Sequence, residues 1–213
     1  KNSIEAYSNR YDLMLGLTSG YDSRLLLASS LPIKEKIKYF TFNRNDTYVK
    51  RDVSIAKKLA ETYQLDYKTI KTESLTSQFI QQFNNEFVVA RLLDKTKNIQ
   101  WFKNQDFKNI AVVSGNGGAL IRSIYNEQDF KSSNSICKAI EYEPNDFHLN
   151  ALTEWLQSAK KYALENTLLL SDLFYLDIRM GKWGNKMVHE LDFANIEEFT
   201  PYNNRYLMFS LLL

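Results

Sequence analysis

Apolar runs and segments of helical periodicity alternate along this chain. Four segments have strand length: 13–17 and 109–113 are apolar runs, as buried parallel strands are, 37–42 alternates and is rich in aromatic residues, and 65–70 is a short predicted strand. Apolar positions three and four apart predict helices within 1–10 and at 24–30, 52–63, 74–93, 149–170, 172–190 and from 203 onward. Such alternation predicts a parallel sheet with right-handed crossovers. We therefore expect an α/β fold with a twisted, mostly parallel sheet of about five strands and helices on both faces.

The balance of strand and helix changes in the last third of the chain. From Glu141 onward the pattern is helical, and Phe199-Thr200-Pro201-Tyr202 interrupts it before a last helix. We expect an α/β core over 1–145 and a helical extension over 146–213, packed together as one continuous domain.

Composition excludes several classes of function. The net charge of +2 is too small to indicate nucleic acid or an anionic membrane surface as a partner. The single cysteine excludes an internal disulfide and a cysteine-rich metal site, and two distant histidines do not favour a zinc cluster. No apolar stretch reaches the ~20 residues that a membrane span needs, and no signal peptide is visible. We expect a cytoplasmic protein that binds neither nucleic acid nor membranes.

The residues that follow the first strand form the strongest candidate site. Thr18, Ser19 and Gly20 lie between the strand and a helix that we expect to begin near Asp22 and Ser23, both good N-cap residues. The first N–H groups of a helix are unpaired, and the helix dipole is positive there. With a glycine that lets backbone approach an anion, these features predict a phosphate site. The alternative is a tight turn without a ligand, in which Asp22 only caps the helix.

Two further polar loops follow predicted strands. Residues 43–46 follow the second strand, and residues 114–118 follow the fourth and contain the chain's glycine cluster. In parallel sheets, ligands bind at the carboxyl ends of strands near a switch in strand order. We therefore expect these two loops and the 18–23 loop to face one crevice. Asp46 and Asp52 are weaker carboxylate candidates, because such residues more often serve as loop or N-cap residues.

The first loop resembles that of a known enzyme family. Residues 17–24 read Leu-Thr-Ser-Gly-Tyr-Asp-Ser-Arg, similar to the Ser-Gly-Gly-x-Asp-Ser loop of the ATP pyrophosphatases. Within these they look most like the synthetase domain of the asparagine synthetase family. The Gly-x-Asp-Ser half is intact, whereas Thr18 replaces the family's serine and Ser19 its first glycine.

A second segment matches the same family in part. Residues 114–122 read Ser-Gly-Asn-Gly-Gly-Ala-Leu-Ile-Arg and resemble the family's Ser-Gly-x-Gly-x-Asp-Glu segment, which lines the substrate side. Ala119 and Leu120 stand in place of the Asp-Glu pair. Apolar residues can bind neither a metal nor an amino group, so aspartate is not the expected substrate.

A third match lies in the helical part. Asp177-Ile178-Arg179-Met180 resembles the family's Asp-Arg-x-x-Met helix, and residues 199–205 resemble its Pro-Phe-x-Asp turn. Tyr202 and Asn204 replace the phenylalanine and the aspartate of that turn. The three matches occur in the family's order and together span about residues 11–210.

Four polar side chains share a spacing that an α-helix would place on one face: Tyr175, Arg179, Lys182 and Lys186. A solvated basic face is one interpretation. In the other, Arg179 or Lys182 points into the crevice and neutralises phosphate charge.

The resemblance implies an adenine nucleotide alpha hydrolase-like fold and an ATP-dependent, AMP-forming amide ligase or amidotransferase synthetase. The reaction adenylates a small-molecule or peptide carboxylate and transfers ammonia or an amine to it. It also implies that ATP and Mg²⁺ bind, with Asp22 as the metal ligand, and that Asp22, Arg179 and Lys182 act in catalysis. The implied nucleotide-binding residues are Thr18, Ser19, Gly20, Asp22, Ser23, Phe42, Asn43, Ser114, Gly115 and Gly117. A glutaminase domain or subunit, if there is one, lies outside this stretch.

Two other functions stay open. One is a degenerate, non-catalytic relative that binds a nucleotide or a partner protein, because Ser19, Ala119 and Leu120 each depart from the family pattern. The other is an RNA-modifying ATP pyrophosphatase, which the near-neutral charge and the absence of a cysteine pair disfavour.

Overall fold

A computed structural model describes residues 2–43, 47–87, 94–121 and 123–212. It confirms the predicted fold class, since five parallel strands flanked by helices form one sheet in the order β3-β2-β1-β4-β5. The strands are β1 (Asp12–Gly16), β2 (Ile37–Asn43), β3 (Tyr67–Lys71), β4 (Ile110–Val113) and β5 (Glu197–Phe199). The α-helices are α1 (Asn2–Ser8), α2 (Tyr21–Ser30), α3 (Thr47–Tyr63), α4 (Ser77–Glu86), α5 (Thr96–Lys103), α6 (Ser133–Ala139), α7 (Asp146–Asn166), α8 (Leu170–Phe174), α9 (Asn185–Phe193) and α10 (Arg205–Leu212). Shorter 3₁₀ segments occupy Leu31–Lys36, Gly118–Ile121 and Glu127–Lys131, and a π-helical segment spans Tyr175–Gly184.

The chain folds into two compact units. The first contains Lys1–Gly115 and Lys186–Pro201, and the second contains Asn116–Asn185 and Tyr202–Leu213. The units are thus divided after residues 115, 185 and 201, whereas the sequence pattern suggested one division at 145.

The sheet of the first unit is buried on both faces. Leu13 and Leu15 of β1 are at most 1% exposed, and Met14, which points to the opposite face, is 6% exposed. Met14 belongs to an apolar cluster with residues such as Phe40, Phe83 and Ile196. Burial on both faces explains why β1 and β4 read as continuous apolar runs rather than as alternating patterns.

The strand order places a switch point beside β1. The chain passes from β1 to β2 and β3 on one side, and then returns to pair β4 with the other side of β1. Leu15 thus lies between Tyr39 of β2 and Val113 of β4. In open parallel sheets the crevice for ligands lies at the carboxyl ends of the two strands that flank such a switch, here β1 and β4.

The second unit is built from helices. One cluster contains Phe130, Ile136, Cys137, Leu152 and Phe174, so the single cysteine is a buried core residue of α6. A smaller cluster surrounds Tyr175 and includes Ala119 and Leu120. Among the residues described, no helix combines the length and the apolar character that a bilayer span requires.

Several predicted boundaries were wrong. Helix α2 begins at Tyr21 with Gly20 as its N-cap, so neither Asp22 nor Ser23 caps it. Helix α3 begins at Thr47, which places Asp52 inside the helix. Helix α4 ends at Glu86, and the predicted continuation over 88–93 lies outside the described residues, as do Arg44, Asn45 and Asp46 of the second loop and Arg122 of the second match.

Candidate functional site

The loop that follows β1 is anchored by its neighbouring strand. Leu17, which is fully buried, donates its N–H to the Phe40 carbonyl at 2.8 Å. Its own carbonyl accepts the Thr41 hydroxyl at 2.5 Å. The loop therefore leaves the sheet from a fixed point at the carboxyl end of β1.

Hydroxyl groups set the shape of this loop. Ser23 Oγ, on a residue only 8% exposed, accepts the Thr18 N–H at 3.1 Å and lies 2.9 Å from Thr18 Oγ1. The Gly20 N–H donates to Thr18 Oγ1 at 3.1 Å. Thr18 and Ser23 thus close the loop on itself by side-chain hydrogen bonds. The Thr18 hydroxyl is therefore part of this closure.

Asp52 reaches the loop from α3. Its Oδ1 atom accepts both the Ser19 N–H at 2.8 Å and the Ser19 hydroxyl at 2.6 Å. Asp52 is one of the weaker carboxylate candidates of the sequence, because such residues more often serve as loop or N-cap residues. Its local pattern carries no signal for a contact with Ser19. The Ser19 hydroxyl is the second donor of this contact, a donor that a glycine at position 19 would lack.

Asp22 lies in the first turn of α2, beside the loop that follows β4. A Cβ atom added to Gly115 would come within 3.2 Å of Asp22 Cβ, which is tighter than ordinary contacts. The absence of a side chain at Gly115 thus lets the two loops lie together at the switch point. The structure thus places Gly115, which follows β4, against the loop that follows β1, and these belong to two of the three loops predicted to face one crevice.

The charges around the loop are mixed. The Arg24 Nε–H donates to the Gly20 carbonyl at 3.3 Å, and its guanidinium carbon lies 4.8 Å from the centre of the Tyr21 ring. Asp22 and Asp52 supply carboxylate oxygens, which are the ligands that Mg²⁺ prefers. Among the described residues, no three His, Cys, Asp or Glu side chains form a group that could hold a metal. A magnesium ion needs only one or two carboxylates when phosphates and water complete its shell, so these residues fit Mg²⁺ carried by a nucleotide.

Phe42, Asn43 and Ser114 lie at the ends of their strands. The Phe42 ring packs edge-on against Trp101 and Phe102, and its centre lies 5.6 Å from the Trp101 ring centre and 5.5 Å from that of Phe102. Much of the Phe42 side chain is therefore packed in the core. Asn43 is the last residue of β2 and stands opposite Lys71. The Ser114 N–H donates to the Phe199 carbonyl at 2.9 Å and extends the pairing of β4 with β5.

In the second unit, residues 117–120 contribute to the packing of the core around Tyr175. Gly117 has a φ of +85°, and its N–H donates to the Tyr175 hydroxyl at 3.2 Å. Ala119 and Leu120 are 8% and 6% exposed and pack in the cluster around Tyr175. The positions at which the family pattern has carboxylates are therefore filled by buried apolar side chains.

Arg179 and Lys182 lie in the π-helical segment. The predicted single face for Tyr175, Arg179, Lys182 and Lys186 is wrong, because the first three lie in a π-helix, which has wider turns than an α-helix and loses the seven-residue alignment. Tyr175 is buried, whereas Lys182 is exposed. The Arg179 guanidinium carbon lies 4.4 Å from the centre of the Trp183 ring. Burial raises the pKa of the Tyr125 hydroxyl, and the positive charge of Arg179 partly offsets that rise.

The second unit also holds a buried carboxylate that no sequence pattern singles out. Asp172 is 9% exposed and accepts the Ser123 hydroxyl at 3.0 Å. Burial raises the pKa of the Asp172 carboxyl, and the negative charge of Glu127 raises it further, while the hydrogen bond from Ser123 acts in the opposite direction. Glu127 itself accepts the N–H groups of Leu170 and Ser171 at 3.1 and 2.9 Å.

A cleft of about 690 Å³ opens within the second unit. Three aromatic side chains, Trp155, Tyr162 and Phe209, contribute to its wall, and the charged residue in its lining is Asp177. Asp177 accepts the Trp155 indole N–H at 3.2 Å. An apolar wall with a carboxylate does not suit a polyphosphate, so this cleft offers no alternative nucleotide site.

Comparison of the sequence with protein-family models finds no match, and comparison with curated proteins finds no significant match.

Proposed function

We propose that the first unit binds Mg·ATP and that the chain is the synthetase part of an ATP-dependent, AMP-forming amide ligase of the asparagine synthetase type. The observation that carries this proposal is the loop at the switch point. A hydroxyl-rich strand-to-helix loop lies against the side-chain-free backbone of Gly115, beside the Asp22 carboxylate. Loops in this position are where open parallel sheets bind phosphate groups.

The proposed reaction has two steps. A carboxylate oxygen of the substrate attacks the α-phosphorus of ATP, the bond to the bridging oxygen breaks, and pyrophosphate leaves. The nitrogen of ammonia or an amine then attacks the acyl carbon, AMP leaves with the bonding electron pair, and the nitrogen loses a proton. Positioning and charge stabilisation carry this kind of chemistry, so a nucleophilic side chain is not needed.

The loop residues have separate roles in this proposal. Thr18 and Ser23 hold the loop in shape, and Gly20 and Gly115 let backbone approach the phosphates. Asp22 would hold Mg²⁺, which neutralises charge on the departing pyrophosphate when it is bound. The roles of Arg179 and Lys182 as phosphate-neutralising cations, and of Phe42 and Asn43 at the nucleotide, stay predictions.

Two residues, Ala119 and Leu120, narrow the choice of carboxylate substrate. Ala119 and Leu120 leave no acidic pair for an amino group, so we propose a small-molecule or peptide carboxylate other than aspartate. A glutaminase domain or subunit outside this stretch would supply ammonia. We place the reaction in the cytoplasm, where ATP is abundant, and propose no nucleic-acid partner.

Calorimetric titration with Mg·ATP tests the nucleotide site. The wild-type protein should bind with micromolar affinity, and Asp22→Ala should lose Mg²⁺-dependent binding. Asp106→Ala is the matched control, because Asp106 is an exposed carboxylate that precedes β4 at the amino edge of the sheet. Failure of the wild type to bind Mg·ATP at millimolar concentration would refute the proposal.

Exchange of labelled pyrophosphate into ATP tests the reaction. Exchange that depends on an added carboxylate would demonstrate reversible adenylation. The competing function is a non-catalytic relative, which the packing of Ala119 and Leu120 in the core favours. It predicts binding of nucleotide without exchange for any carboxylate in a broad panel.

A further inference from the structure

We infer that Asp52 is an internal competitor for the phosphate site, and that its carboxylate must leave Ser19 before a phosphate can bind to that part of the loop. The inference rests on the proposed function and adds a property of the same site: preference for a polyphosphate whose charge a cation has neutralised.

The geometry of the contact is that of an anion bound to the loop. A single oxygen, Asp52 Oδ1, accepts the Ser19 N–H at 2.8 Å and the Ser19 hydroxyl at 2.6 Å. One oxygen of a phosphate group would accept the same two donors in the same way. Each of these donors has one hydrogen, so Asp52 and a phosphate oxygen compete for both.

The position of Asp52 allows its carboxylate to leave Ser19 at a small cost in free energy. Asp52 lies within α3, and both residues of the contact are only partly buried. Rotation about the side-chain bonds of Asp52 is enough to release Ser19, because the helix backbone does not have to move. The carboxylate can then be solvated, so its release from Ser19 does not leave an unpaired charge buried in the core.

The charge of Asp52 gives the site its selectivity. A carboxylate a few ångströms from a metal-free polyphosphate repels it, and the repulsion falls when a divalent cation neutralises the ligand. Asp22 lies in the same loop, in the first turn of α2. The two carboxylates therefore disfavour free polyphosphate and favour the metal complex.

Titration with inorganic pyrophosphate in the presence of EDTA tests the inference directly. Asp52→Asn keeps the size of the side chain and removes its charge, and it should bind pyrophosphate about tenfold more tightly than the wild type. Asp52→Ala removes the competing acceptor altogether and should bind at least as tightly as Asp52→Asn. Asp106→Asn removes the same charge at the amino edge of the sheet and should match the wild type. Thermal unfolding followed by circular dichroism verifies that each variant is folded.

The amide signal of Ser19 in a nitrogen-15 correlation spectrum provides a second measurement. Pyrophosphate should shift this signal in the wild type as Asp52 leaves, whereas Asp52→Ala should already differ from the wild type before ligand is added. A Ser19 amide signal that stays in place while pyrophosphate binds would contradict the exchange.

The outcomes separate the two proposals. If the wild type binds Mg·ATP but the Asp52 variants bind pyrophosphate no more tightly than the wild type, the inference is wrong and the proposed function stands. If neither the wild type nor any variant binds pyrophosphate or Mg·ATP, both are wrong.

Discussion

The 18–23 loop of the first unit and residues 117–120 of the second both follow strands at the centre of the sheet, yet they use their side chains in opposite ways. In the loop, Thr18 and Ser23 hydrogen-bond to each other through side chains, and Ser19 binds the carboxylate of Asp52. In residues 117–120, the side chains of Ala119 and Leu120 are buried in an apolar cluster. The first segment thus uses its side chains for polar contacts, and the second uses them for apolar packing.

This difference separates two requirements of the proposed ligase. Binding of a triphosphate depends on hydroxyls, backbone N–H groups and carboxylates, which the 18–23 loop provides. Ala119 and Leu120 offer no acidic pair that could bind the amino group of a substrate. The two requirements therefore depend on different segments of the chain, and variants in either segment test them separately.

The largest effect is expected from introducing a carboxylate in the apolar segment. Leu120 is 6% exposed, and Leu120→Asp would bury a charge among apolar side chains. We expect a loss of about 4 kcal/mol in the free energy of unfolding, measured by chemical denaturation. Leu120→Met keeps the apolar volume and should cost less than about 1.5 kcal/mol. A Leu120→Asp protein as stable as the wild type would show that the position can still accept an acid.

The next effect concerns the glycine that begins this segment. Gly117 has a φ of +85°, and an added Cβ would lie 3.2 Å from Tyr202 Cβ. Gly117→Ala should lower the free energy of unfolding by about 2 kcal/mol. At Gly181 of the same unit an added Cβ would lie 3.7 Å from the Leu176 carbonyl oxygen, so Gly181→Ala should be neutral or slightly stabilising. Equal effects of the two substitutions would refute the steric explanation.

A smaller effect is expected in the polar loop. Ser23→Ala removes the acceptor of the Thr18 N–H and the partner of the Thr18 hydroxyl. Because Ser23 is nearly buried, we expect a loss of about 1.5 kcal/mol in the free energy of unfolding, together with weaker binding of Mg·ATP. Ser54→Ala, on the exposed side of α3, is the control and should change neither quantity. Unchanged stability in Ser23→Ala would mean that the hydroxyl network does not hold the loop.

The smallest effect is a pH dependence in the second unit. The pKa of the Asp172 carboxyl is raised in the folded protein, so the folded state holds this proton more tightly than the unfolded state. The Asp172 carboxyl therefore stabilises the folded state at pH values below its pKa in the unfolded state, about 3.9. This stabilisation is lost as the pH rises through the pKa in the folded state. Asp172→Asn cannot lose a proton and still accepts a hydrogen bond from Ser123.

Unfolding measured from acidic to neutral pH tests this sign. The stability of Asp172→Asn relative to the wild type should increase as the pH rises above about 4. A relative stability that falls with rising pH would mean that the folded protein favours the ionised form of Asp172.

Much of the fold could be predicted because it depends on local patterns. The runs of β1 and β4 are buried on both faces, so their apolar character is continuous and easily recognised. Strand β5 was missed because Glu197, Glu198 and Phe199 have no strand pattern of their own. It exists because the free edge of β4 pairs with it, Ala111 opposite Glu197 and Val113 opposite Phe199.

The candidate site could be predicted only where it depends on one segment. The 18–23 loop is recognisable because hydroxyls, a glycine and an aspartate are adjacent in sequence. The contact between Ser19 and Asp52 joins residues 33 positions apart and depends on how α3 packs. The prediction that Tyr175, Arg179 and Lys182 share one face was wrong because it took the segment to be an α-helix. The sequence carries no signal for the wider turns of a π-helix.

The interleaved order of the two units has a consequence during synthesis on the ribosome. Strand β5 belongs to the first unit but is encoded after residues 116–185, which form most of the second unit. Until β5 emerges, the nascent sheet presents β4 with its outer edge unpaired, a state that favours association between chains. We expect the yield of correctly folded protein to depend on how rapidly residues 116–199 are translated and whether a chaperone covers that edge meanwhile.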